Sequence, residues 1–181
     1  MKNTDPTRLQ LSGMLLTGVV LTCTGLVIET APALTQSQPS EVMVKTVSKG
    51  ADGWREAIVS LQQSENRWIE INLSTQRLIA WEGKKPVYAV IVSTGKTSTP
   101  TRMGVYAIES KHRLARMQGN DYDVTNVPYT MYYSGGYAIH GAYWHNRFGT
   151  PVSHGCVNVA VNHAKWLFNW ASLGTPVVVH R

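Results

Sequence analysis

The sequence predicts a mainly β domain, shaped as a sandwich or barrel, with one or two short helices. From residue 67 onward, short strand-like runs follow one another with turn residues between them. Late in the chain, a single segment places apolar residues at helical spacing. The hydrophobic content of 43% suits a globular core, and 181 residues are enough for one domain behind a leader.

The first 33 residues have the order of a secretory signal peptide. Lys2 and Arg8 precede a mostly apolar run over residues 11–28, and the small-residue triplet Ala31-Pro32-Ala33 follows. We predict cleavage after Ala33 and export to the periplasm or cell wall. The alternative is an uncleaved anchor helix, because an apolar run of roughly 18 residues is near the lower limit for a membrane span.

Residues 34–66 are predicted to be a linker followed by a short helix. Residues 34–50 are rich in Ser, Thr, Gln and Pro and have no periodicity. Asp52 can cap a helix that packs on the domain, with apolar side chains at helical spacing: Trp54, Ala57, Ile58 and Leu61.

The formal net charge is +6, and it stays +6 without residues 1–33, which hold two basic and two acidic residues. The basic residues are dispersed, with no basic stripe interleaved with aromatic residues. This pattern argues against nucleic acid as a partner and suits a carboxylate-rich cell-wall polymer.

Seven strands are predicted within residues 67–181. The first two form a hairpin through the turn Glu82-Gly83-Lys84, and the close spacing of the strands predicts mainly antiparallel sheets. Asn162–Trp170 is predicted as a helix that Gly174 ends. The predicted strands are Trp68–Leu73, Arg77–Trp81, Pro86–Ser93, Gly104–Ile108, Tyr129–Tyr133, Tyr137–His140 and Val177–His180.

Cys156 is the one cysteine outside the leader, since Cys23 lies in the apolar run. A single thiol cannot form an intramolecular disulfide, and this thiol has a polar context rich in Gly and His, which indicates a reactive role. A nucleophile needs a base, for which His154 and His140 are candidates, and backbone N–H donors that a Gly155 turn can present. The spacing predicts acyl-transfer chemistry.

The segment Ser153-His154-Gly155-Cys156-Val157-Asn158, with His140 upstream, resembles the signature of the L,D-transpeptidase catalytic domain, the YkuD family. The resemblance covers roughly residues 68–181. It includes Thr99-Pro100-Thr101 before Gly104, and the lead-in to His140. It implies a catalytic domain over residues 67–181 that needs no cofactor and no metal.

The resemblance implies that Cys156 is the nucleophile and that His140 is the general base, oriented by the carbonyl of Gly141. The backbone N–H groups of His154, Gly155 and Cys156 would hold the oxyanion, and the His154 imidazole would shape the site. The spacing alone leaves His154 open as the base, because residues two apart share one side of an extended strand.

Six further residues are candidates for the site. Ser153 and Asn158 are expected to fix the motif loop through hydrogen bonds. Tyr122 lies where related enzymes can place a lid tyrosine, an ordinary loop aromatic being the alternative. His145 is not one of the six, because it is expected to be a solvent-exposed loop residue. Three residues of the loop after His140 are candidates for binding a peptide that bears carboxylates: Tyr143, Trp144 and Arg147.

The implied activity is transfer between peptidoglycan stem peptides. Cys156 would attack the bond before the terminal D-Ala of a tetrapeptide stem, and an amine would resolve the thioester into a cross-link. One alternative is a cell-wall carboxypeptidase or endopeptidase on the same scaffold. Less favoured alternatives are a wall-binding module and a metal-binding module with His140, His145, His154 and Cys156 as zinc ligands.

Overall fold

The computed structural model describes residues 53–181, which form two β-sheets and two helices. The predicted leader, the linker, the Asp52 cap and Cys23 lie outside the described residues. The helices are α1 (Gly53–Gln63) and α2 (Val161–Trp170). The strands are β1 (Arg67–Asn72), β2 (Arg77–Glu82), β3 (Lys85–Ile91), β4 (Gly104–Ala107), β5 (Ser110–Gln118), β6 (Asp123–Ser134), β7 (Tyr137–Gly141), β8 (Val157–Val159) and β9 (Pro176–His180).

The strands form a five-stranded sheet with the order β3-β2-β1-β9-β4 and a four-stranded sheet with the order β5-β6-β7-β8. The mainly β prediction is therefore confirmed. Five of the strand pairs are antiparallel, whereas β1 with β9 and β7 with β8 are parallel. Both parallel pairs join strands that are distant in sequence, because a parallel pair needs a crossover rather than a tight turn.

One apolar cluster joins side chains of both sheets with the inner face of α2. The five-stranded sheet contributes Ile69, Ile71 and Leu78 to it, and the four-stranded sheet contributes Met131, Ile139 and Val157. In β9, Val177 and Val179 belong to this cluster, and Val178 belongs to a second cluster under α1. A strand buried on both faces reads as a continuous apolar run, which explains Val177-Val178-Val179.

Helix α1 packs on the domain as the sequence predicts. Its Ala57 is buried against Trp68 and Val178. The Trp68 ring is fully buried, and its Nε1–H donates to the carbonyl of Gly83 at 2.8 Å. Trp54 stacks on His180 with 4.5 Å between ring centroids. The helix therefore covers one face of the five-stranded sheet.

Three expectations about elements were wrong. The turn Glu82-Gly83-Lys84 joins β2 to β3 rather than the first two strands, which residues 73–76 connect. Strands β5 and β8 were not predicted, and β6 begins six residues before its predicted start. Strand β8 has only three residues, and the long β5–β6 hairpin is polar and carries little apolar alternation. Gly174 does not end α2. The helix stops at Trp170 and Ala171 is extended, while Gly174 (φ +80°) lies in the turn toward β9. The ammonium group of Lys111 binds the carbonyls of Phe168 and Ala171 at this helix end. Within residues 53–181, neither helix is long and apolar enough to cross a membrane.

Candidate active site

A pocket of about 320 Å³ opens between the β5–β6 hairpin and the loops that flank β7 and β8. We call it the Cys156 pocket. Its walls include motif side chains and aromatic residues of the surrounding loops: His140, His154, Cys156, Asn158, Tyr122 and Trp144.

The parallel pair of β7 and β8 brings the separated motif residues together. His140 pairs with Asn158, and Ile139 pairs with Val157. Cys156 immediately precedes β8. It therefore lies beside β7, the paired strand that carries His140. Because side chains alternate along a strand, Val157 is buried in the core, while Asn158 and Cys156 line the pocket.

The thiol of Cys156 is half-buried at the pocket wall. Its Sγ lies 3.6 Å from the carbonyl of Gly136, which accepts the weak S–H bond. Burial raises the pKa of the thiol to about 11, and the N–H of Ala138 acts in the opposite direction. Cys156 is therefore a neutral thiol in the free protein at pH 7, and a base must take its proton before it attacks.

His140 has the properties of that base. Its side chain is 2% exposed, and its Nδ1 donates to the carbonyl of Gly141 at 3.1 Å. Nδ1 then holds the proton, and Nε2 keeps a lone pair. Burial lowers the pKa of His140 to about 4, with the Gly141 bond opposing and His145 adding to the shift. The imidazole is neutral at pH 7. Trp144 lies over its ring at 5.7 Å between centroids.

Gly155 gives the motif loop a turn that other residues adopt only with strain. Its φ is +116°, and a Cβ at this position would lie 2.7 Å from the ring of Tyr137. Thr101 Oγ1 donates to the Gly155 carbonyl at 2.7 Å and fixes the turn. The backbone between His154 and Cys156 is consequently not extended. The extended geometry from which His154 was considered as an alternative base is therefore absent, and His154 lines the same pocket as Cys156.

The predicted oxyanion donors differ in whether their N–H groups are engaged in the free protein. The N–H of Gly155 is engaged, because it donates to Ser153 Oγ at 3.1 Å. Ser153 Oγ in turn donates to the carbonyl of Cys156 at 2.5 Å, so Ser153 fixes the loop as predicted. Within residues 53–181, the backbone N–H groups of His154 and Cys156 have no protein acceptor and are left to meet an oxyanion.

The imidazole of His154 sits at the rim of the pocket between charged side chains. Its Nε2 is 3.1 Å from Asp121 Oδ2 and 3.2 Å from Lys96 Nζ. The ring of Tyr122 lies over it at 4.7 Å between centroids. Tyr122 thus joins the pocket wall from the hairpin, and burial followed by the nearby Cys156 raises the pKa of its hydroxyl.

His145 is not the exposed loop residue that was expected. It lines the pocket half-buried, and its Nε2 is 2.9 Å from the Asn158 carboxamide. Its Nδ1 accepts from the backbone N–H of Arg147 at 3.2 Å, so in the neutral ring Nε2 carries the proton. The Asn158 atom at 2.9 Å is the amide nitrogen Nδ2, so a hydrogen bond with a protonated Nε2 requires the carboxamide to be turned over.

The candidate substrate-binding residues divide into two groups. Tyr122, Trp144 and Arg147 line the pocket. Tyr143 does not, because its hydroxyl donates to the carbonyl of Thr125 at 2.9 Å and ties the loop after β7 to the start of β6. No three His, Cys, Asp or Glu side chains among residues 53–181 are grouped closely enough to hold a metal ion.

Comparison with known proteins identifies the family. The model of the L,D-transpeptidase catalytic domain, YkuD, matches residues 66–179. The chain belongs to this family. L,D-transpeptidase 2 of Mycobacterium tuberculosis is 31% identical over 105 residues, which make up 51% of this chain and 26% of that protein. The chain thus spans about a quarter of the length of this relative.

Solved L,D-transpeptidase structures have the same fold. The catalytic domain of the Enterococcus faecium enzyme, solved by NMR, is 30% identical with a TM-score of 0.59, and the match covers 64% of this chain and 98% of that domain. An L,D-transpeptidase in complex with imipenem is 27% identical with a TM-score of 0.60, covering 63% of this chain and 58% of that one.

Proposed function

We propose that this member of the L,D-transpeptidase family is an exported enzyme that cross-links peptidoglycan stem peptides through a Cys156 thioester. The observation that carries the proposal is that the Cys156 thiol and the buried His140 imidazole line one pocket, beside the unengaged backbone N–H groups of His154 and Cys156. Membership of the family supports the transferase chemistry.

In the first half-reaction, His140 Nε2 takes the proton of the Cys156 thiol as Sγ attacks the carbonyl before the terminal D-Ala. The N–H groups of His154 and Cys156 donate to the oxyanion that forms. His140 then gives its proton to the nitrogen of D-Ala, the C–N bond breaks, and a thioester remains on Cys156.

In the second half-reaction, the amine of an acceptor stem attacks the thioester carbonyl. His140 accepts a proton from this amine and returns it to the sulfur as the C–S bond breaks, which regenerates the thiol and gives an amide cross-link. Because the thiol's pKa lies far above that of the imidazole, the ion pair is unfavourable in the empty pocket. Proton transfer is therefore coupled to attack on bound substrate.

The test uses purified protein and tetrapeptide muropeptides, analysed by mass spectrometry. We expect loss of D-Ala together with dimers, and neither product from Cys156→Ala. Tripeptides without dimers, even with excess amine acceptor, would indicate the alternative, a cell-wall hydrolase. If neither D-Ala loss nor dimers appear, the proposed function is wrong.

Export, a further part of the proposal, rests on the order of residues 1–33. Expression in a bacterial host followed by fractionation should place the protein outside the cytoplasm. N-terminal sequencing of the exported form distinguishes cleavage after Ala33 from an uncleaved anchor.

A further inference from the structure

Three charged or polar side chains from separate segments meet at the rim of the Cys156 pocket. Lys96 lies on the loop after β3, His154 precedes the nucleophile, and Asp121 lies at the hairpin tip, residues 119–122. Lys96 Nζ and Asp121 Oδ2 are both close to His154 Nε2, at 3.2 and 3.1 Å. No other carboxylate within residues 53–181 forms an ion pair with His154 or Lys96.

The cationic side of this cluster is fixed to the motif loop. The backbone N–H of Lys96 donates to the carbonyl of Ser153 at 3.0 Å, and Thr99 Oγ1 donates to the same carbonyl at 3.1 Å. The acidic side is loosely held, because the Asp121 side chain is 67% exposed and ends a hairpin. The bond to His154, with a smaller contribution from Lys96, lowers the pKa of the Asp121 carboxyl, so the group is charged.

We propose that Lys96 and His154 form a binding site for the free C-terminal carboxylate of the donor peptide, and that Asp121 occupies this site when no donor is bound. The inference rests on the proposed function, since it names the part of the donor that this rim would recognise. Asp121 is then a resident carboxylate that shows where an entering carboxylate would be held.

Covalent geometry supports this position for the donor terminus. In a donor ending in D-Ala, the carboxylate carbon is three bonds from the carbonyl carbon that Cys156 attacks, which is a span of about 4 Å. His154 is two residues from Cys156 and lines the same pocket. The terminus of a donor placed for attack is therefore within reach of His154, and the Lys96 ammonium group lies 3.2 Å from the His154 ring.

The exchange of carboxylates would also move the hairpin tip. In the free protein, Asp121 binds His154, and the Tyr122 ring contacts the His154 ring in a tilted arrangement. A single exposed ion pair is weak and screened by salt, so a substrate carboxylate can replace Asp121 without a change in the charge of the cluster. Displacing Asp121 releases the tip next to the reacting carbonyl.

The experiment measures binding without chemistry, by calorimetric titration of Cys156→Ala protein. Two tetrapeptides are compared, one ending in the D-Ala carboxylate and one in its carboxamide. We expect the carboxylate peptide to bind about tenfold more tightly at low salt, the size of one charge-assisted hydrogen bond. Introducing Lys96→Met into the Cys156→Ala protein should remove the preference for the carboxylate peptide over the carboxamide peptide. Adding Asp121→Asn should tighten binding of the carboxylate peptide severalfold and leave the carboxamide peptide unchanged.

Two further variants make the assignment specific. Lys84→Met, at an exposed turn between β2 and β3, should change neither affinity. Arg147→Met should weaken both peptides equally. Equal affinity for the two peptides, no saturable binding, or loss of the preference in Arg147→Met rather than Lys96→Met overturns the site. If the carboxylate preference holds but Cys156 protein releases no D-Ala, the proposed function fails and the binding site stands.

Discussion

At the scale of single residues, Cys156 and His140 have protonation states opposite to those of a preformed thiolate–imidazolium pair. Burial raises the pKa of Cys156 and lowers the pKa of His140, so both side chains are neutral in the free protein at pH 7. The reactivity of Cys156 should therefore depend on bound substrate. Only when a substrate carbonyl is in the pocket are the proton on His140 and the negative charge on the carbonyl oxygen both stabilised.

The pKa of Cys156 predicts its alkylation by iodoacetamide. With a pKa of about 11, the folded protein should react about a hundredfold more slowly at pH 7 than the urea-unfolded chain, whose thiol titrates near 9. Its rate should still rise between pH 9 and 10. Mass spectrometry of timed samples measures this. A plateau below pH 8 in the folded protein would contradict the neutral thiol.

The two histidines of the site should differ in importance. His140→Ala removes the buried base and should lower turnover about 10²–10⁴-fold. His154→Ala keeps the backbone N–H that would donate to the oxyanion, so it should lower turnover by a smaller factor than His140→Ala. Release of D-Ala at saturating donor measures both, with circular dichroism as the control for folding. A greater loss for His154→Ala would reverse the roles.

The contact between His145 and Asn158 predicts coupled effects. His145→Ala removes the contact that holds the Asn158 carboxamide, so this group is free to rotate at the pocket wall. We expect kcat/KM to fall about tenfold, which is the scale of one lost polar contact. Asn158→Ala should lower kcat/KM by a similar factor, and the double variant should have no lower kcat/KM than either single variant. Losses that add in the double variant would show that the two side chains act independently.

At the scale of elements, the turn at Gly155 determines where the oxyanion donors point. Gly155→Ala combines a left-handed φ with a Cβ against the Tyr137 ring, and should lower the free energy of unfolding by about 2 kcal/mol. D-Ala release should also fall, since the loop must shift. Urea unfolding measures the first effect. Gly136→Ala is the matched control, because no atom would contact its Cβ and no stability loss is expected.

Elements with strong local signals were predictable from the sequence. Strands β1 to β3, β7 and β9 carry apolar or alternating runs, and both helices have apolar side chains at helical spacing. Strand β5 has charged residues over much of its length, and it is fixed by pairing with β6 rather than by burial. Local pattern cannot reveal a strand of that kind.

The motif indicated which residues form the site, but it could not give their contacts. The engagement of the Gly155 N–H by Ser153 depends on one backbone angle. The approach of Asp121 to His154 joins residues 33 apart through the shape of a hairpin. The position of His145 between His140 and the motif could have indicated a place in the site, but its distance from Cys156 in sequence favoured an exposed loop position.

At the scale of the whole molecule, the buried His140 makes stability depend on pH. Its pKa is about 4 when folded and near 6.5 when unfolded, so the unfolded chain binds more protons between these values. Its contribution is complete above about pH 6.5 and falls by about 3 kcal/mol as the pH decreases to 4. Urea unfolding at several pH values measures this, with His140→Gln expected to lose less. Equal slopes for both proteins would contradict it.

The position of β9 between β1 and β4 has a consequence for biosynthesis. Residues 176–180 are made after all the strands they join, yet they fill the middle of the five-stranded sheet. A nascent chain that ends before residue 176 leaves β1 and β4 without their shared partner, and α1 without Val178 beneath it. The five-stranded sheet therefore cannot be completed until residues 176–180 have been made, so its final assembly is a late event in folding.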